Sequence, residues 1–317
     1  YTDKNLQNKN VSDELRARGL GLTAQVSIKR IWDYGVGLGG PLKEDKLWFY
    51  TAHRWWGSQE YQPGTYFNST PHSMFYNPDL SRPAYTDVHN RDNNVRLTWQ
   101  VAQRHKVTAA YNIQDDCNCF YAVGTSQLAA GGGQGNGVRA PEATVDHRYY
   151  DPNSLVQGSW SHPATNKLLF EAGATVMAVT HSQNRTAGTT TEDIAINDTV
   201  KGILYNARGD NMTGSSYGGK SATQANQRAS ISYVTGSHAF KAGVFLMEGW
   251  LNVTSENAIN QALSYTFLNN VPSSLTQWAT PYAEKNTMMP TLGLYAQDQW
   301  RLNRMTLNLG LRFDHLR

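Results

Sequence analysis

A chain whose side chains alternate between apolar and polar, residue by residue, can keep one kind on one side only by running extended, because a strand sends successive side chains to opposite faces. That alternation recurs along this sequence. In residues 305–313, Met305, Leu307, Leu309, Leu311 and Phe313 interleave with Thr306, Asn308, Gly310 and Arg312. Residues 95–101 set Val95, Leu97, Trp99 and Val101 against Arg96, Thr98 and Gln100. The pattern resumes with Val107, Ala109, Tyr111 and Ile113 against Thr108, Ala110, Asn112 and Gln114. Looser versions place Ala229, Ile231 and Tyr233 between Arg228, Ser230 and Ser232, and Leu168, Phe170, Ala172, Ala174, Val176 and Ala178 around Glu171, Gly173 and Thr175. A helix, turning about 100° per residue, would smear these sets around its circumference. Gly, Thr and Asn are also too frequent for stable helix, so none is expected. The chain reads as all-β and antiparallel.

The connections carry a second regularity. Short links, at residues 40–45, 102–105, 163–166, 235–238 and 303–304, join the strands of each hairpin. Long polar segments, at residues 57–90, 115–154, 182–223 and 255–288, join one hairpin to the next, the last with a strand pair of its own near residues 263–267. Compact soluble domains connect their elements through about 4–6 residues. An outer-membrane barrel instead has short turns on its periplasmic side and long loops outside. The alternating lengths, strands of about ten residues, and Trp48, Trp55, Trp56 and Trp300 near strand ends favour a transmembrane barrel over a β-sandwich.

Composition narrows the alternatives. No run approaches the roughly 18 apolar residues of a membrane-spanning helix, and mean hydropathy is −0.55, so a helical membrane protein is excluded. Yet 11% of the residues are aromatic, including 9 Trp and 17 Tyr, as many half-apolar strands require. The 28 basic and 25 acidic residues are interspersed, and no basic stripe suits nucleic acid. Cys117 and Cys119 are the only cysteines, too few for a disulfide framework and in keeping with export. The polar stretch from Tyr1 has neither the charged nor the apolar region of a signal peptide, so an exported protein of this sequence is expected to have lost its start.

Against this background the run Gly39-Gly40-Pro41-Leu42-Lys43-Glu44-Asp45-Lys46-Leu47-Trp48-Phe49 resembles the strand–turn–strand early in the barrel of TonB-dependent receptors of the Oar-like group. On the residues alone, Gly39 and Gly40 end a strand, Pro41 sets a turn angle, and Lys43 to Lys46 put charge at the water interface. Leu294-Tyr295-Ala296-Gln297-Asp298-Gln299-Trp300, with residues 305–314 after it, is similar to a hairpin that recurs in the same receptors. The resemblance covers nearly the whole chain, residues 1–317, as barrel. It implies a bacterial outer-membrane transporter: a barrel of roughly 22 strands holding an N-terminal plug, loops that capture a ligand, and energy from the inner-membrane TonB system through the plug. Ten to twelve strands are legible, about half of such a barrel. No plug, no TonB-contacting segment and no terminal aromatic is recognised, the sequence closing on His315-Leu316-Arg317. The partners implied are outer-membrane lipid, the TonB system and an imported ligand that the residues do not name.

Motifs that suggest chemistry are weak. Gly214-Ser215-Ser216-Tyr217-Gly218 has the letters of a nucleophile elbow without its strand and helix. The glycine-rich residues 131–137 lack the following Lys and the strand-to-helix frame of a phosphate cradle. Arg208-Gly209-Asp210 is a tripeptide that polar loops make by chance. Asp115-Asp116-Cys117-Asn118-Cys119 could close a small disulfide ring, hold a cation, or be plain loop. The nine His are scattered, with no His-Glu-x-x-His. Tyr66, Phe67, Phe75, Tyr76, Tyr149 and Tyr150 could stack on a flat ligand or pack their loops. No catalytic, cofactor or metal residue is assigned, and an enzyme is not expected. Besides the transporter, the sequence leaves open a secreted or surface β-sandwich that binds carbohydrate or mediates adhesion. A β-rich hydrolase would need a placed carboxylate pair or triad, which is not found.

Overall fold

The computed structural model describes residues 1–7, 12–19, 27–124, 138–209, 217–255, 262–279, 281 and 283–316. Its strands, in chain order, are β1 Thr2–Asp3, β2 Ser27–Lys43, β3 Leu47–Asn68, β4 Pro78–Ala102, β5 His105–Tyr121, β6 Val138–Arg139, β7 Val145–Arg148, β8 Asn153–Pro163 and β9 Leu168–Arg185. They continue as β10 Ala195–Asp198, β11 Ile203–Tyr205, β12 Gly218–Thr235, β13 His238–Ser255, β14 Leu263–Leu268, β15 Val271–Gln277, β16 Ala283–Leu302 and β17 Met305–His315. Among the described residues these form two sheets.

The larger is a 12-stranded antiparallel sheet in the order β1-β2-β3-β4-β5-β7-β9-β12-β13-β16-β17, with β8 also pairing β5 and β9. All but β1 and β7 are long, from the 11 residues of β8 to the 25 of β4. A tilted strand crosses a bilayer in about 9–11 residues, so the longest extend well past it. Register carries one apolar face across the sheet. Leu38 opposes Thr51, Phe49 opposes Leu97, Leu97 opposes Ala109, and Val156 lies between Tyr111 and Val176. Further on, Ile231 lies beside Ala242, Val244 beside Leu294, and Leu294 beside Phe313. No second sheet covers this face among the described residues: Leu309 is 56% exposed, Phe313 60% and Leu311 85%. A β-sandwich would bury it. Toward the short turns the face carries a belt of rings, with His105 stacked on His162 at 4.0 Å, Trp160 beside both, and His238 between Phe240 and Trp300. Such rings sit where hydrocarbon meets water.

The short turns fall where expected with one adjustment. β2 does not end at Gly39 and Gly40 but runs on to Lys43, with a register shift between Pro41 and Lys43, and the turn is Glu44-Asp45-Lys46. Gly39 has no room for a side chain, because the Tyr50 ring lies across its strand and a Cβ there would fall 2.9 Å from it, whereas a Cβ on Gly40 would meet open space. Of the tryptophans, Trp55 shares the apolar face with Tyr34, but Trp56 opposes Asp33 and Trp48 opposes Thr98. Those two therefore point to the polar side and belong to no lipid belt. Among the described residues the departures from the all-strand expectation are a five-residue helix, Asp13–Ala17, begun where Ser12 Oγ accepts from Leu15 N, and single 3-10 turns at Lys4–Leu6 and Pro141–Ala143.

The long segments are less bare than their polarity suggests. Of residues 57–90 only 69–77 lie outside strands. The expected pair near residues 263–267 is β14 with β15. β14 also joins a second sheet of five strands, in the order β15-β14-β10-β11-β6, drawn from three connections far apart in sequence. Its core is Ala140, Ile196, Tyr205 and Phe267, with Tyr76 and Tyr265 against it. Asp198, fully buried, accepts from the backbone N–H of Lys201 at 3.1 Å, Asn269 at 3.0 Å and Asn270 at 2.7 Å. Burial alone would push its carboxyl up; these N–H groups outweigh that and hold it below the usual range. The Tyr205 hydroxyl donates to Met74 O, and His72 Nδ1 meets Asp193 at 2.9 Å, so residues 69–77 are tied to the same cap.

Candidate functional site

The polar face is built by the residues between the apolar ones. Asn94 and Arg96 on β4, Thr108 and Ala110 on β5, Gln157 and Ser159 on β8, Gly173 and Thr175 on β9, and Asn226 and Arg228 on β12 follow each other in register. They line a hollow of about 640 Å³, closed at its sides by Tyr50 and Phe245. The floor is of small and neutral groups, and the charge comes from Arg96 and Arg228. Among the described residues no carboxylate engages either guanidinium. Arg228 lies along β9 because Gly173 leaves room; a Cβ there would stand 3.3 Å from its Nε.

Beside this hollow a smaller one is lined by Ser161, Glu171, Ser230, Lys241 and Tyr295, where Lys241 Nζ lies 3.1 Å from Glu171 and Ser230 donates to the same carboxylate. Toward β2, Arg54 forks onto Asp33 at 3.0 and 2.7 Å and stacks over Trp56. Asp92 accepts from Asn112 at 3.1 Å and from Gln114. A face so polar belongs to water or to another polar surface, not to lipid.

At the loop end the same face carries a ring cluster. His147 on β7 meets His181 on β9 through their Nε2 atoms, with Tyr121 and Tyr149 packed against His147 at 4.7 and 4.2 Å. Burial, then His181, Arg208 and Lys220, hold His147 down at about 4. Both rings are neutral donors or acceptors at neutral pH.

The loop aromatics divide. Phe67 packs on Tyr85 and Phe120, and Tyr76 is half-buried in the cap with its hydroxyl donating to Tyr66 O. Burial, with Glu142 nearby, pushes Tyr76 up to about 12. Tyr149 joins the histidine cluster, while Phe75 and Tyr150 are exposed. Gly214, Ser215, Ser216, residues 131–137 and Asp210 lie outside the described residues. Tyr217 is buried, with Arg185 over its ring at 4.0 Å, and Gly209 is pressed against Ala195. Cys117 and Cys119 form a disulfide. Arg96, Arg228, His147 and His181 were not singled out from the sequence. The signal for the arginines was present, each being a charge on the polar side of a clean alternation.

Residues 83–317 match the family model described as outer membrane beta barrel domain. The chain belongs to that family, and its place is the bacterial outer membrane. It is 24% identical to the TonB-dependent transporter Oar of Myxococcus xanthus over 95% of this chain and 35% of that protein. Among solved structures it is similar to the outer membrane transporter YddB of Escherichia coli, with TM-score 0.52 and 13% identity over 89% of this chain and 33% of that one. The ferric yersiniabactin uptake receptor FyuA of Yersinia pestis gives 0.51 and 12% identity over 90% and 36%. Likenesses at such identity speak for the fold. The chain spans about a third of the length of these relatives, which are transporters and receptors rather than enzymes.

Proposed function

We propose that this chain is part of the wall of a TonB-dependent outer-membrane transporter. The observation that supports the reading is the division of one continuous sheet into an apolar face that nothing covers among the described residues and a polar face on which Arg96 and Arg228 meet no carboxylate among them. The apolar face meets lipid and the polar face lines the lumen. In the whole protein a plug, outside residues 1–317, seats against the hollow, where its carboxylates meet Arg96 and Arg228 in charge-assisted hydrogen bonds. The gathered loops capture the ligand at the outer mouth, and energy arrives through the plug from the inner-membrane TonB system. The protein catalyses no bond chemistry on what it carries.

The test is a thiol on the hollow floor, Ser159→Cys in the full-length protein without Cys117 and Cys119, labelled by a small hydrophilic reagent in cells. It should be shielded when the plug is present and react when the plug segment is deleted. Equal labelling in both forms, in a barrel that still assembles, would overturn the plugged-lumen reading.

A further inference from the structure

Near the loop end, on the side of the sheet that carries the apolar band, β4 and β5 bring together side chains that the sequence keeps apart. Register sets His89 opposite Cys117 and Asp87 opposite Cys119, so all four share a face. One ligand atom from each of His89, Cys117 and Cys119 lies within 4.8 Å of the others. His89 Nδ1 is 3.3 Å from Asp87 Oδ1, and the other Asp87 oxygen accepts from Gln59 Nε2 at 2.7 Å. A carboxylate on Nδ1 keeps the proton there and leaves the Nε2 lone pair free, the way ligating imidazoles are commonly oriented. Cys117 is fully buried, and the two sulfurs are joined.

We propose that Asp87, His89, Cys117 and Cys119 form a thiol-gated site for a soft cation of the zinc type, closed while the disulfide stands. An external dithiol opens it. The Cys117–Cys119 S–S bond breaks as the dithiol becomes its own cyclic disulfide, and its two hydrogens end on the two cysteine sulfurs. The cation then displaces those two protons to solvent and takes two thiolates and the His89 imidazole, leaving a fourth tetrahedral position to water. Two thiolates cancel the charge of a dication, so the burial of Cys117 does not oppose binding. Thiolate and imidazole together select zinc-like or copper(I)-like ions over magnesium or calcium. In an oxidising medium the gate stays shut.

The experiment uses the full-length protein in detergent, reduced anaerobically with a dithiol, freed of reductant, and titrated with Zn²⁺ or with Co²⁺, whose thiolate charge-transfer absorption reports sulfur ligation. The reduced protein should take up one equivalent with that absorption, and the oxidised protein and Cys117→Ser/Cys119→Ser should not. Asp87→Asn should weaken binding by about 10–100-fold, and His89→Gln by at least as much. Heat-modifiable migration checks that each variant is a folded barrel. If the double serine variant fails that check, reduced and alkylated wild type serves as the control. The proposal is overturned if the disulfide of the folded protein survives excess dithiol, if reduced wild type binds no more Zn²⁺ than its control, or if Co²⁺ binds without thiolate absorption.

Discussion

On β17 two neighbours, Asn308 and Leu309, stand on opposite faces of one strand, and nothing but the pleat separates their environments. Arg at Leu309 puts a charge against lipid at a cost of about 2–4 kcal/mol near the bilayer midplane. Arg at Asn308 points to the polar side and should be tolerated. Folded full-length protein, measured by heat-modifiable migration, should fall for Leu309→Arg and hold for Asn308→Arg; equal losses would defeat the assignment of faces. This much was legible in residues 305–313, because face depends on parity alone. What a side chain touches across the strand was not. The Trp32 ring lies on Gly57, where a Cβ would fall 2.4 Å from it, and His89 lies on Cys117. Such pairs depend on register, and register here passes through shifts between Ile28 and Arg30 and between Pro41 and Lys43 that no local pattern announces.

Among the elements, β7 depends on a histidine held neutral. Detached, His147 would titrate near its ordinary 6.5, whereas in place it is held at about 4. The detached state therefore binds more protons in this window. Stability from His147 is complete above about 6.5 and is lost as pH falls toward 4. Thermal midpoints of wild type and His147→Gln should diverge between pH 7 and pH 5, with wild type losing more; parallel losses would remove His147 from the pH response. The Asp198 contacts make a second test. Asp198→Ala leaves the N–H groups of Lys201, Asn269 and Asn270 without their acceptor, at a local cost of at most about 1–3 kcal/mol each before water or relaxation replaces the bond. Hydrogen exchange should quicken in β10 and β14 while β13 keeps its protection, and unchanged exchange in β14 would show that the contacts carry no load. The β14–β15 pair was visible as an apolar alternation, but the parallel pairing of β10 with β14 was not, since it joins short strands from separate loops. Sidedness follows from the connections. Cysteines at Asn77, Val200 and Leu268 in the full-length protein should react on intact cells with a thiol reagent too large to enter, and cysteines at Gln103, Asn166 and Asn303 should not. Labelling at both ends would exclude a membrane-crossing sheet.

For the whole molecule, the period-two alternation and the short and long connections were enough to place the chain in a membrane barrel, because both are properties of every hairpin and survive errors in any one. The same features limit how residues 1–317 behave alone. The sheet has margins at β1 and β17 that do not pair with each other, and one of its faces is apolar from β2 to β17. Excised, this stretch should aggregate in water and require detergent; a monodisperse soluble monomer with a cooperative thermal transition would contradict the membrane reading. The cap has its own consequence. Its sheet and core draw on β6, β10, β11, β14 and β15, with Tyr76 from a fourth connection, so the surface that the long connections present is a patchwork of segments brought together only by folding. An antibody or phage that recognises it reads a discontinuous epitope, which no single loop peptide reproduces and which disappears when the protein is denatured.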